Sequence, residues 1–210
     1  VKDFNCSVLP SFRPDKALNI QADGFGEYIK ALENAAETKI ESYTDVISAL
    51  EKRCDYFDSV GCKVSDQAFK YVPYSPADDE EVNKIFKKAM NGEKITDCES
   101  DKYKTPIIIA LGKKYHQLGW AMEVHIGAIR NNNSRMFAKL GADTGFDSVG
   151  DKEIAKNLSR FLDALDSENS LPKTILFNLN DKDNTVLATM LGNFQGTEAD
   201  SKVQYGPAWW

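Results

Sequence analysis

Along the chain, short apolar runs alternate with longer stretches in which apolar residues recur every three or four positions. The runs at 7–12 (SVLPSF), 62–66, 121–128, 174–179 (TILFNL) and 203–209 read as strands. The first helix spans Gly26–Ala36, with Tyr28, Ile29 and Leu32 on one face. The second is capped by Ser42 or Thr44, carries Val46, Ile47, Leu50, Cys54 and Phe57 at helical spacing, and stops at Gly61. A third starts at Pro76 with acids in its first turn and runs to Met90, where Gly92 ends it. A polar stretch around Cys98 then leads to Thr105-Pro106 and a helix through Gln117. Leu140–Asp151 reads as a loop rich in glycine and aspartate, Lys152–Leu165 as a strongly amphipathic helix, and Thr185–Asn193 as a short one.

Strands alternating with helices, with polar residues just after the strands, predict a parallel α/β protein. In both a doubly wound sheet and a (β/α)8 barrel, function sits at the carboxyl ends of the strands. A complete barrel has eight strands and about 250 residues, whereas this chain has 210 residues and five strand-like runs. With no initiator Met and a final AWW, it is expected to be a single partial barrel domain over 1–210, with 71–117 as a helical excursion.

Composition narrows the function classes. A net charge of -6 without a basic block argues against nucleic-acid binding. The longest apolar run, Ile107–Leu111, is too short to span a bilayer, and no signal peptide is recognisable. Cys6, Cys54, Cys62 and Cys98 fit neither a C-x-x-C nor a zinc-finger spacing, so reduced thiols and a cytoplasmic location are expected.

The groups that follow the strands are Arg13 and Asp15; Asp66 and Gln67; His125, Arg130 and Asn131; Asn178, Asn180 and Asp181; and Trp209. On neighbouring parallel strands they share one polar, anion-friendly rim. Neither a nucleophile elbow nor a nucleotide-binding glycine loop is present. Each residue also has a plain structural reading. His125 could be a satisfied core histidine, and Arg13 could simply pair with Asp15. Asn131–Asn133 could be turn residues and Trp209 a core aromatic.

In order along the chain stand FRPDKAL (12–18), GCKVSDQ (61–67), HIGAIRNNNSRMF (125–137), GADTGFDSVGD (141–151), LPKTILFNLNDKDN (171–184), GNFQ (192–195) and VQYGPAWW (203–210). This set closely resembles the uronate (glucuronate) isomerase family of the amidohydrolase superfamily. The resemblance implies a distorted (β/α)8 barrel, with the five strands here as its third to seventh. It also implies interconversion of D-glucuronate with D-fructuronate and of D-galacturonate with D-tagaturonate, by proton transfer through an enediol. Asp66 and His125 would be catalytic, with the choice of base left open. Arg13 or Arg130 would clamp the carboxylate, and Asn178 and Trp209 would line the substrate. A divalent metal, zinc, would assist in the complete enzyme with His125 as one ligand; the other ligands lie outside these residues.

Two departures limit the expectation. The superfamily's His-x-His pair would precede this chain, and its catalytic aspartate and adjacent arginine would follow it. Gln67 also stands where relatives more often carry histidine. The stretch alone is therefore expected to be inactive. Its exposed sheet edges would pair with the missing chain or with a second copy in a homo-oligomer. The competing expectations are a non-catalytic sugar-acid binding module and a purely structural α/β domain.

Overall fold

The computed structural model describes residues 6–197 and 200–207. The strands are β1 (Val64–Phe69), β2 (Ala121–Ile126), β3 (Ala128–Ile129), β4 (Ser148–Val149), β5 (Lys173–Asn178) and β6 (Val203–Tyr205). The helices are α1 (Asp15–Leu18), α2 (Phe25–Ala36), α3 (Tyr43–Ser59), α4 (Asp79–Met90), α5 (Asp97–Leu118), α6 (Ser134–Leu140), α7 (Ala155–Asp166) and α8 (Asn184–Asn193). Strands β1, β2, β5 and β6 form one sheet in that spatial order, every neighbouring pair parallel. Spatial order thus follows chain order, and helices make the crossovers. Strands β3 and β4 form a separate antiparallel pair beyond the end of β2.

The two faces of the sheet differ. Ser65, Gln67 and Phe69 of β1, Met122, Val124 and Ile126 of β2, and Thr174 and Leu176 of β5 are buried. The apolar members of this set join the core with Leu111 and Tyr115 of α5 and with Leu158, Phe161, Leu162 and Leu165 of α7. Each fully buried Leu or Phe contributes about 1.5–3 kcal/mol from apolar burial. The alternate residues, Val64, Asp66, Ala68, Ala121, Glu123, His125, Ile175 and Phe177, are only half-buried on the other face. Period-two alternation is what separates the sets.

Capping sets the helix starts. Ser42 Oγ accepts from Asp45 N at 3.2 Å while Asp45 Oδ2 accepts from Ser42 N at 2.9 Å, a reciprocal capping box that begins α3. Thr96 and Glu99 form the same box for α5. That box corrects the expectation of a polar loop around Cys98: α5 starts at Asp97 and runs through Pro106. A proline inside a helix costs about 3 kcal/mol. Burial of Tyr103, Ile107, Ile108 and Leu111 around it outweighs that cost.

Other boundaries also shift. Residues 7–11 form no strand, and only Phe12 makes a single parallel bridge, to Ser65. Val8 and Leu9 are exposed, and Pro10 lacks the N–H that a ladder needs. The second strand starts at Val64, which places Asp66 in its middle. The strand predicted over 121–128 breaks at Gly127, whose φ of 104° turns the chain into β3. Residues 134–140, with no element assigned from the pattern, form α6, capped by Asn133. The final strand, expected over 203–209, ends at Tyr205; Gly206 and Pro207 are not part of it, and 208–209 lie outside the described residues.

Candidate functional site

The open face of the sheet gathers the first group. Parallel register sets Asp66 beside Glu123 and Ala68 beside His125, and sets His125 beside Phe177. His125 Nδ1 lies 3.0 Å from Asp66 Oδ1. The imidazole stacks on Phe177 with ring centroids 4.3 Å apart and planes within 6°. Behind Phe177 sits Gly206, whose N donates to Leu176 O at 2.8 Å. A methyl group at Gly206 would overlap the Phe177 ring.

Arg13 joins from the segment after Phe12. Its Nε donates to Asp15 Oδ2 at 2.8 Å, and one terminal nitrogen lies 3.3 Å from Asp66 Oδ2. Asp15 Oδ1 also accepts from Ala68 N at 3.2 Å, tying the start of α1 to β1. Contact with His125 holds the Asp66 carboxyl below the ordinary carboxylate range; burial opposes this and Arg13 reinforces it. Burial raises Asp15, against the pull of Arg13. Burial also raises Glu123, which His125 pulls down and Asp66 pushes up.

Arg130 and Asn131 belong to a second group, carried by the β3–β4 hairpin. Arg130 reaches Asp147 Oδ2 at 2.5 Å, and Asn131 N donates to Asp147 Oδ1 at 2.8 Å. Asn131 adopts a left-handed φ of 56°, which asparagine tolerates. A cavity of about 770 Å³ lies between the groups, lined among others by Arg13, Asp15, Ala68, Arg130 and Asn131. Its floor begins one pleat beyond Asp66.

The remaining candidates lie elsewhere. Gln67 is 2% exposed and points into the helix-covered core, away from Asp66. Asn178 shares the facing of Leu176; its Nδ2 donates to Asn180 O and its Oδ1 accepts from the Tyr205 hydroxyl at 2.6 Å. Asn180 donates to Gly150 O at 2.9 Å, fastening the hairpin to the end of β5. Asp181 starts the 3-10 turn before α8. Trp209 lies outside the described residues. The sequence reading missed Glu123 and Phe177, although alternation along β2 and β5 places both on the open face.

An imidazole held by a carboxylate that Arg13 also contacts, next to a cavity that Arg13 and Arg130 line, can move a proton beside a bound anion. A metal is a separate question. Among the described residues, no group of three or more His, Cys, Asp and Glu side chains comes together to hold one. The described residues thus present no complete metal cage around His125.

The chain is 53% identical over 209 residues to the uronate isomerase of Caldanaerobacter subterraneus subsp. tengcongensis, matching all of this chain and 45% of that protein. It is 55% identical over 207 residues to the uronate isomerase of Clostridium acetobutylicum, covering 99% of this chain and 44% of that one. The chain thus spans about 45% of the length of these curated relatives. The crystal structure of uronate isomerase from Thermotoga maritima superimposes with a TM-score of 0.87 at 28% identity, over 96% of this chain and 43% of that one. Glucuronate isomerase from Caulobacter crescentus, at 22% identity and a TM-score of 0.84, shares the fold over 97% of this chain and 41% of its own. The glucuronate isomerase family model matches residues 1–210, and the chain belongs to that family.

Proposed function

We propose that this chain is the central part of a uronate isomerase that interconverts D-glucuronate with D-fructuronate and D-galacturonate with D-tagaturonate through an enediol. The observation that carries the proposal is the Asp66–His125 contact of 3.0 Å, joined through Arg13, 3.3 Å from Asp66, to a cavity that Arg13 and Arg130 line. His125 is the group that moves the proton between the first and second carbons. Asp66, kept ionised by His125 and Arg13, is a poor proton acceptor at neutral pH and instead orients the ring. Arg13 and Arg130 direct N–H donors at the oxygens of the sugar acid. A divalent metal in the complete enzyme would supply Lewis-acid stabilisation of the enediolate, with most of its ligands from outside this chain.

The architecture is a partial (β/α)8 barrel. Parallel strands in chain order, with a half-open face that carries the reactive groups, suit a barrel interior, and parallel sheets are ordinarily covered on both faces. Residues 1–210 act as one domain with 71–117 as a helical excursion, and the open face and sheet edges meet the rest of the barrel or a second copy. No described helix is long and apolar enough to cross a membrane, and all four cysteines are free. A reducing, cytoplasmic setting fits those thiols. Gln67, where relatives more often carry histidine, packs in the helix-covered core, so its identity lends little support to a non-catalytic remnant.

The test is turnover by the full-length gene product, followed by NMR with D-glucuronate and D-galacturonate. Appearance of the ketouronates supports the proposal, and their absence in the folded, metal-supplied protein refutes it. The 210-residue stretch alone should be inactive.

A further inference from the structure

A different wall of the cavity holds positive charge that no ion pair uses. Asp97, Asp101 and Lys104, spaced by four and three residues, share one face of α5 and line the cavity. Lys70 and Tyr71 follow β1, and Lys152 follows the β3–β4 hairpin; all three line it too. The acids on this wall have neutral hydrogen-bond partners. The Tyr71 hydroxyl lies 3.1 Å from both oxygens of Asp101, and Gln21 Nε2 donates to Asp97 Oδ1 at 3.0 Å. Lys152 Nζ sits over the Tyr71 ring, 4.2 Å from its centroid.

Among the described residues, Lys70, Lys104 and Lys152 make no ion pair or hydrogen bond through their ammonium groups. The two arginines of the cavity differ in this respect, since Arg13 is held by Asp15 and Asp66, and Arg130 by Asp147. Lys104 is half-buried. Burial pushes its ammonium below the ordinary lysine range; Asp101 and Asp97 oppose the fall, while Lys70 adds to it. An ammonium withdrawn from water without a close counter-ion is destabilising, and a bound anion relieves that cost.

We propose that Lys104, flanked by Lys70 and Lys152, receives the carboxylate of the sugar acid and selects uronates over neutral aldoses. This rests on the sugar-acid reading of the cavity. Arg13 and Arg130, already engaged by protein carboxylates, then serve the hydroxyl end of the ligand. Cavity position fits the division: Arg13 stands beside Asp66, whereas Lys104 lies on the α5 wall.

The test compares L-gulonate with D-sorbitol by calorimetry on the full-length protein. Both are open-chain polyols without a carbonyl, and L-gulonate carries a carboxylate that D-sorbitol lacks, so neither depends on turnover. The wild type should bind L-gulonate at least tenfold more tightly than D-sorbitol. K104M should lose that preference, and K104R should retain most of it. A K104M protein that prefers L-gulonate as strongly as wild type overturns the proposal, as does a wild type without the preference. Equally tight, Lys104-dependent binding of inorganic phosphate overturns the sugar-acid assignment. Should K104M fail to fold, the Lys104 Nζ resonance of the wild type decides: it should shift as L-gulonate is added, and an unmoved resonance refutes the contact. Loss of isomerase turnover with Lys104-dependent L-gulonate binding intact would refute the catalytic reading alone.

Discussion

Asp66 and His125 stand on adjacent parallel strands, with Oδ1 and Nδ1 3.0 Å apart. Their Cα positions are not in register, because His125 is opposite Ala68 and Asp66 is opposite Glu123. The pairing is therefore diagonal across the sheet face, and it depends on both strands keeping their register. In the full-length protein, D66N removes the charge beside His125 while preserving side-chain volume. Its kcat should fall roughly 10²- to 10⁴-fold, the usual scale for losing acid–base assistance. KM for D-glucuronate should change far less, and the pH optimum should shift. Steady-state kinetics across pH tests this, and an unchanged kcat would remove the dyad from the mechanism.

Phe177 stacks on the imidazole, and a Cβ at Gly206 would meet the Phe177 ring. G206A puts a methyl group where the ring stands. Overpacking of a fitted site costs about 1–3 kcal/mol, so the melting temperature should fall. The displaced ring should also carry His125 with it. NMR of the His125 ring protons in G206A should show a shift larger than any in His116 of α5, whose Nδ1–H donates to Leu171 O. Equal shifts at both histidines would mean that Phe177 yields without moving His125.

The positions of the main helices were legible because their apolar spacing and caps agree. Gly26–Ala36 and Lys152–Leu165 were misplaced by no more than three residues at the start and one at the end. Alternation in AMEVHI likewise separates Met122, Val124 and Ile126 from Glu123 and His125. The lysine wall was hidden for a specific reason. Pro106 and the polar residues before it suggested a loop, which breaks the helical spacing linking Asp97, Asp101 and Lys104. Local propensity lost there to the burial of Tyr103, Ile107 and Leu111. The diagonal Asp66–His125 contact was not legible either, because strand register depends on contacts far apart in the chain.

The start of α5 should be sensitive to acid. Glu99 accepts from Thr96 N at 2.8 Å and from Lys88 Nζ at 2.7 Å. These bonds, that of Lys88 first, lower its carboxyl from 4.5 to about 2. A depressed carboxyl adds stability that is complete above pH 4.5 and is lost as the pH falls toward 2. E99Q can keep the bond to Thr96 N but loses the charge that pairs with Lys88, so it should be less stable than wild type at neutral pH by about 0.3–1 kcal/mol, the scale for a partly exposed charge at a helix start. The gap should narrow as the pH falls from 4.5 toward 2. Urea unfolding followed at several pH values measures it, and a constant gap would mean that Glu99 titrates normally in the fold.

Tyr43 should contribute to the alkaline limit. It is buried at the start of α3, and its hydroxyl donates to Asp79 Oδ1 at 2.5 Å, fastening α3 to α4. Burial, reinforced by Asp79, pushes the phenol from 10.0 up to about 12. A raised phenol stabilises the fold fully below pH 10.0, and the contribution fades as the pH rises through about 12. Y43F keeps the ring and loses the hydrogen bond. It should therefore be less stable at neutral pH by about 1–2 kcal/mol, the usual scale for a bond to a charged partner that water can reach. The difference should shrink between pH 10.0 and 12. Burial also raises Tyr71, Tyr103 and Tyr115, so ultraviolet titration should show one fewer late-ionising tyrosine in Y43F than in wild type. If no late-ionising tyrosine is lost on that substitution, Tyr43 does not carry the alkaline sensitivity.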